Sequence, residues 1–135
     1  MGPFTDEDEL LDYLLSPASG HGFSSTAEYI QALERANEIR SYSHQTTFTH
    51  GDFKAHNILV GDDGHLSGFL DWESAGWYPE YWDFTTARRF GKNSWWSQVA
   101  LWIGGDQYDG ELACDIVLNS LTVDSYIAFW RKQLI

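Results

Sequence analysis

Two short stretches carry the side chains best suited to chemistry. One is His50-Gly51-Asp52-Phe53-Lys54-Ala55-His56-Asn57; the other, Asp71-Trp72-Glu73, begins fourteen residues after Asn57. Carboxylates take up protons, and carboxylate and amide oxygens are the hard donors that hold hard cations, so Asp52, Asn57 and Asp71 are the candidates for acid–base or metal work. Taken singly, Asp52 and Asn57 are more often turn residues that bond their own backbone, and Asp71 reads as a surface strand terminus. The pattern, not any one residue, carries the signal.

Other constellations are weaker. His21, His44, His56 and His65 lack partners at zinc-ligand spacing, and a single cysteine, Cys114, cannot build a structural zinc site. Asp62-Asp63-Gly64 lacks the rest of a calcium loop and reads as a turn. Asp83 reads as a structural carboxylate that satisfies N–H groups of a nearby turn. The tryptophans read mostly as core, with Trp77 and the Trp95-Trp96 pair as the ones to line a ligand cleft.

These residues need elements to position them. Thr5, with Asp8 three residues on, caps a helix over residues 6 to 15, and Ser25 with Glu28 forms a capping box for a second helix running to about Ile39. Tyr29, Ile30, Leu33, Ala36 and Ile39 form its apolar stripe. Thr46 to Thr49 is β-branched and aromatic and delivers a strand into the His50-Gly51-Asp52 turn. Asn57 to Val60 and Leu66 to Leu70 flank Gly61-Asp62-Asp63-Gly64-His65, a β-hairpin whose open end puts Asn57 and Asp71 on the same side. Pro79 suits the first turn of a helix with Tyr81, Phe84 and Ala87 facing inward and Gly91 as its stop; a closing helix spans Asp124 to Leu134.

On these residues the chain resembles the aminoglycoside phosphotransferase and choline kinase-like superfamily, related to protein kinases. The loop opens His-Gly-Asp, an Asp and an Asn are separated by four residues, and Asp71-Trp72-Glu73 follows the next hairpin. The likeness continues through Ser74-Ala75-Gly76 to Pro79-Glu80-Tyr81-Trp82-Asp83, and weakly to Gly2-Pro3-Phe4. It implies an α+β, mainly helical kinase-like C-lobe with a short antiparallel hairpin carrying the catalytic and metal loops. It implies Asp52 as catalytic base, Asn57 and Asp71 as ligands of Mg²⁺, and ATP as phosphoryl donor to a small-molecule hydroxyl. By analogy with kinases, His50 braces the loop; Glu73 stays open between a place near metal or substrate and one bonding backbone N–H groups.

Complete members carry an N-terminal lobe with a nucleotide-covering loop and a phosphate-contacting lysine. Lys54 lies inside the catalytic loop, and Lys92 and Lys132 follow Asp71, so none of the three lysines falls at that position. The expectation is one domain over residues 1–135, the C-terminal lobe alone. Two functions then compete, with an accidental motif in another small α+β fold as a third. One is a phosphotransferase completed by a partner chain or lobe covering the nucleotide cleft; the other is an inactive lobe retained as a binding or interaction module. Aminoglycoside, choline, sugar and protein hydroxyls all stay open as acceptors.

Bulk properties narrow the partners. With 135 residues and 43% hydrophobic content the chain can bury a core. Its 20 acidic against 8 basic residues repel nucleic acid and anionic membranes; acidic walls attract cationic small molecules, though a solubilising surface is the plainer reading. One cysteine, no signal peptide, no myristoylation site and no apolar run of spanning length point to the cytoplasm.

Overall fold

A computed structural model describes residues 3–89 and 93–133. The chain divides into two compact units, one from Met1–Ser43 with Ala113–Ile135 and one from His44–Leu112. Among the described residues the architecture is α+β, five α-helices with two small antiparallel two-stranded sheets. Among the described residues no helix is long and apolar enough to cross a membrane.

The first unit holds α1 (Glu7–Leu15), α2 (Thr26–Asn37), a 3₁₀ turn (Glu38–Ser41) and most of α5 (Asp109–Gln133). The cap of α1 is Asp6, not Thr5: its carboxylate accepts from Glu9 N–H at 2.8 Å, while the Glu9 carboxylate accepts from both Thr5 N–H and its hydroxyl at 2.6 Å. A full carboxylate at the cap satisfies the orphan N–H and the helix dipole together, which displaces threonine by one position. Ser25 caps α2 as read from the sequence, accepting from Glu28 N–H at 3.1 Å. Leu10, Leu11, Ala36, Ile39, Leu118 and Leu121 are buried, whereas Ile30 of the expected stripe is half exposed.

The second unit begins with β1 (Thr46–Thr49), antiparallel to β4 (Gly76–Pro79) in the register Thr46 to Pro79 and Thr49 to Gly76. Pro79 therefore ends a strand and does not open a helix. A two-stranded sheet is all edge, where a residue without an N–H is tolerated, and Glu80 N–H resumes the ladder to Gln45 C=O at 2.9 Å. β2 (Ile58–Val60) and β3 (Leu66–Phe69) form the expected hairpin, with an irregularity between Leu59 and Val60. α3 (Trp82–Arg88) follows, with Tyr81, Phe84 and Ala87 buried as its spacing requires. The expected stop at Gly91 lies outside the described residues. α4 (Trp95–Gly104) was not legible as a helix, and α5 starts at Asp109 instead of Asp124; Leu134 lies outside the described residues.

The tryptophans are not mostly core. Trp82 is buried, but Trp72, Trp77, Trp95 and Trp102 are exposed, Trp77 by 72%. Two-stranded sheets have no second layer to bury their aromatic side chains, so Phe48, Trp72 and Trp77 cluster on one another at centroid separations of 5.7–6.4 Å.

Gly51, between β1 and the loop, has φ +89°, and a Cβ there would lie 2.2 Å from the Ser74 carbonyl oxygen. Gly64, in the hairpin turn, has φ +80° with open space around it. Gly51→Ala is therefore expected to lower unfolding free energy by about 3 kcal/mol or more, and Gly64→Ala by only about 1 kcal/mol. Urea denaturation of the two variants checks the contrast; equal losses would refute the close approach at Gly51.

Candidate active site

The loop after β1 is tied down at nearly every residue, which is what a precise site on a loop requires. Gly51 N–H donates to Asp83 Oδ1 of α3 at 3.0 Å, and Asp83 also accepts from His50 N–H. Phe53 C=O accepts from the Trp96 indole at 3.1 Å, and the Lys54 ammonium donates to Thr86 C=O at 2.8 Å. A lysine on the last-turn carbonyls of a helix also meets the negative end of its dipole. Burial pulls the Lys54 pKa down, with Asp52 opposing that and Arg89 adding to it.

His50 is buried and joins the two stretches singled out above. One ring nitrogen, Nε2, lies 2.6 Å from Leu70 C=O, and the other, Nδ1, accepts from Asp52 N–H at 3.2 Å. A carbonyl can only accept and an amide N–H only donate, so these partners assign the proton to Nε2.

Asn57 follows the 3₁₀ turn Ala55–Asn57 and is only 4% exposed. Its N–H donates to Lys54 C=O at 3.0 Å and its C=O accepts from Leu70 N–H at 2.7 Å. Its Nδ2 donates to the Asp52 carbonyl at 2.9 Å and to Asp52 Oδ2 at 3.0 Å. Both partners are acceptors, which fixes the amide orientation and leaves Oδ1 as the group without a protein partner. No buried side-chain oxygen among the described residues lacks a partner, so Asn57 Oδ1 keeps contact with solvent.

Asp71 lies one residue beyond Leu70, which is bonded to Asn57 on one side and His50 on the other. It is exposed and has φ +58°, the one non-glycine residue at positive φ among those described. Aspartate is one of the few residues besides glycine that take the left-handed region as single residues, and it does so here at the open end of the hairpin. Asp52 and Asn57 are in direct contact, and Asp71 leaves the open end of the same hairpin. Glu73 is exposed in the turn that follows.

Asn57 Oδ1 and the Asp71 carboxylate are hard oxygen donors, the chemistry that suits Mg²⁺. Among the described residues no cluster of three or more His, Cys, Asp or Glu side chains forms a metal cage. The loop braces Trp96 and Lys54 were missed in the sequence because their partners are backbone carbonyls, which leave no side-chain signature.

With this geometry established, a sequence model of the phosphotransferase enzyme family matches residues 5–113. The chain belongs to that family. Neither the curated proteins nor the solved structures contain a match to it.

The Asp83 carboxyl is pushed above the ordinary carboxylate range, chiefly by burial and against the pull of its two N–H donors. The native state therefore binds this proton at higher pH than the unfolded chain. Ionised Asp83 opposes folding above its folded pKa, and that opposition is relieved as pH falls through the folded value toward the ordinary one. Asp83→Asn, which keeps an acceptor for Gly51, is expected to remove this gain on acidification. Asp83→Ala leaves two N–H groups unpaired and is expected to lose about 1–3 kcal/mol. Urea midpoints measured from about pH 7 to pH 4 separate the two; identical pH profiles for parent and Asn variant would contradict the assignment.

Proposed function

We propose that the chain is the catalytic and metal-binding part of a kinase-like phosphotransferase that moves the γ-phosphoryl group of ATP to a hydroxyl of a small molecule. The observation that carries this reading is the Asp52–Asn57 contact. It aims the amide nitrogen at the carboxylate and leaves Asn57 Oδ1 and Asp52 Oδ1 without a hydrogen-bond partner among the described residues.

In this reading Asp52 orients the acceptor hydroxyl and takes its proton as the oxygen–phosphorus bond forms. The bond from the γ-phosphorus to the β–γ bridging oxygen breaks, and ADP leaves with that electron pair. Asn57 Oδ1 and Asp71 would hold Mg²⁺, which when bound neutralises phosphate charge. Two protein oxygens make a poor cage alone, so metal and nucleotide bind together and weakly when apart.

We further infer that activity needs a nucleotide-covering segment or partner chain beyond the residues that build this site, since no lysine precedes Thr46. A second reading, a non-catalytic interaction module, is favoured by one observation: Leu59, Val60, Leu66 and Phe69 leave the hairpin exposed and apolar.

Calorimetric titration of ATP with and without Mg²⁺ is expected to show metal-dependent binding in the millimolar range. Asp71→Gly is expected to abolish the metal dependence while raising stability by roughly 0.5–1 kcal/mol, because glycine accepts the left-handed backbone freely. Asp52→Ala is expected to keep nucleotide binding and lower phosphate release or transfer by ~10²-fold or more. Absence of binding at millimolar nucleotide would turn the conclusion toward the interaction module.

A further inference from the structure

Apart from the candidate active site, the second unit buries an imidazole against a carboxylate. His44 Nε2 lies 2.9 Å from Glu111 Oε1, and the two side chains are only 2% and 7% exposed. A carboxylate oxygen accepts, so this contact puts a hydrogen on Nε2. Glu111 stands in the first turn of α5, where the helix dipole favours its ionised form. Among the described residues no lysine or arginine pairs with it, which leaves the imidazole as its counter-charge.

A second carboxylate acts on the same ring. Glu80 accepts from Gln45 N–H and from the Tyr108 hydroxyl, both at 2.9 Å, and these donors, with a smaller pull from His44, hold it below the ordinary carboxylate range. The other titratable groups about the pair are Tyr81, whose ring meets the imidazole edge-on at 4.6 Å, and Tyr108, which burial and then Glu80 and Glu111 push above the ordinary phenol value. Asp115, also buried, lies one turn beyond Glu111 on the same side of α5. Burial by itself disfavours an imidazolium, but discharging the ring would leave Glu111 as an unpaired buried charge, the costlier state.

These contacts gather at the base of β1. His44 and Gln45 lead directly into Thr46, Glu80 bonds Gln45 through both its side chain and its backbone, and Tyr108 and Glu111 bring the start of α5 to the same place. We propose that His44 and Glu111 form a proton-operated latch, in which the charged pair fastens the first turn of α5 to the base of β1 and loss of the imidazole proton releases it. β1 delivers the loop of Asp52, so release loosens the strand that presents the candidate site. The latch involves neither nucleotide nor metal and stands or falls apart from the phosphotransferase reading. Because the folded chain holds this proton more tightly than the unfolded one, the stabilisation is full below the ordinary histidine value of about 6.5. It falls as pH rises from there to the folded value and is gone above it.

NMR of the imidazole nitrogens in the full chain, followed from about pH 5 to pH 9, tests this. His44 is expected to stay an imidazolium above the pH at which a free histidine discharges, and then to lose its proton within the range. Amide exchange at Gln45, Glu80 and Leu112 is expected to quicken with that titration, by up to about tenfold per pH unit beyond intrinsic base catalysis. His44→Gln, a neutral donor that does not titrate, is expected to abolish this excess, and Glu111→Gln to make His44 discharge at lower pH than in the parent. A His44 that keeps one form throughout the range in the parent chain, neutral or charged, overturns the proposal whether or not the variants fold. An excess at those three amides that persists in His44→Gln overturns it as well.

Discussion

One imidazole holds the candidate site in register. His50 spans from Asp52 N–H to Leu70 C=O, and so ties the loop that carries the carboxylate to the strand end that precedes Asp71. Leu70 in turn donates its N–H to Asn57. Three residues separated by up to nineteen positions in sequence are thereby linked through a buried ring and one backbone unit. A flexible polar side chain could not replace it, because the ring presents one donor and one acceptor in opposite directions at a fixed span.

From that ring a chain of constraints runs outward. Asp83 grips the Gly51 and His50 N–H groups from α3, and Gly51 is the residue that lets the backbone pass against Ser74. Lys54 and Trp96 fasten the far side of the loop to α3 and α4. The short helices of the second unit thus serve as anchors, through the Asp83 and Trp96 side chains and the Thr86 carbonyl. Burial of Asp83 opposes its ionisation, yet its position is fixed by the N–H groups it must satisfy, the usual tension between solvation and placement at a buried carboxylate.

Much of this was legible in the sequence where the signal is local. Thr46–Thr49, the hairpin around Gly61 to His65, the Ser25 cap and the Tyr81-Phe84-Ala87 face follow from propensity, turn chemistry and period. What failed depends on pairing at a distance. Pro79 looks like a helix opener until Thr46 is seen opposite it, and Gly76–Pro79 is a strand only because β1 supplies its partner. α4 was obscured because its apolar residues are not confined to one face: Trp95, Trp102 and Ile103 are exposed while Ala100 is buried, so no stripe marks the inward side. At the site, residue types and spacing pointed to Asp52, Asn57 and Asp71. The positive φ of Asp71 and the orientation of the Asn57 amide are three-dimensional facts without a sequence signature.

The placement of the hairpin's stability explains why fold and site are hard to separate here. A two-stranded hairpin is marginal alone, and β2 and β3 leave most of their side chains exposed, so the strands contribute little burial. What holds the hairpin lies at its open end. There Leu70 pairs with Asn57, the His50 and Trp72 rings meet edge to face at 4.7 Å, and Phe69 packs near Phe53 and Trp72. Those are the contacts that set Asn57 and Asp71 beside the loop of Asp52. The turn end, by contrast, has a solvated Asp63–His65 pair with both side chains exposed, worth little in water. Change at the turn is therefore tolerated by the fold, whereas change at the open end perturbs hairpin and loop at once, since the same hydrogen bonds close the hairpin and tie Asn57 and the residue before Asp71 to the loop.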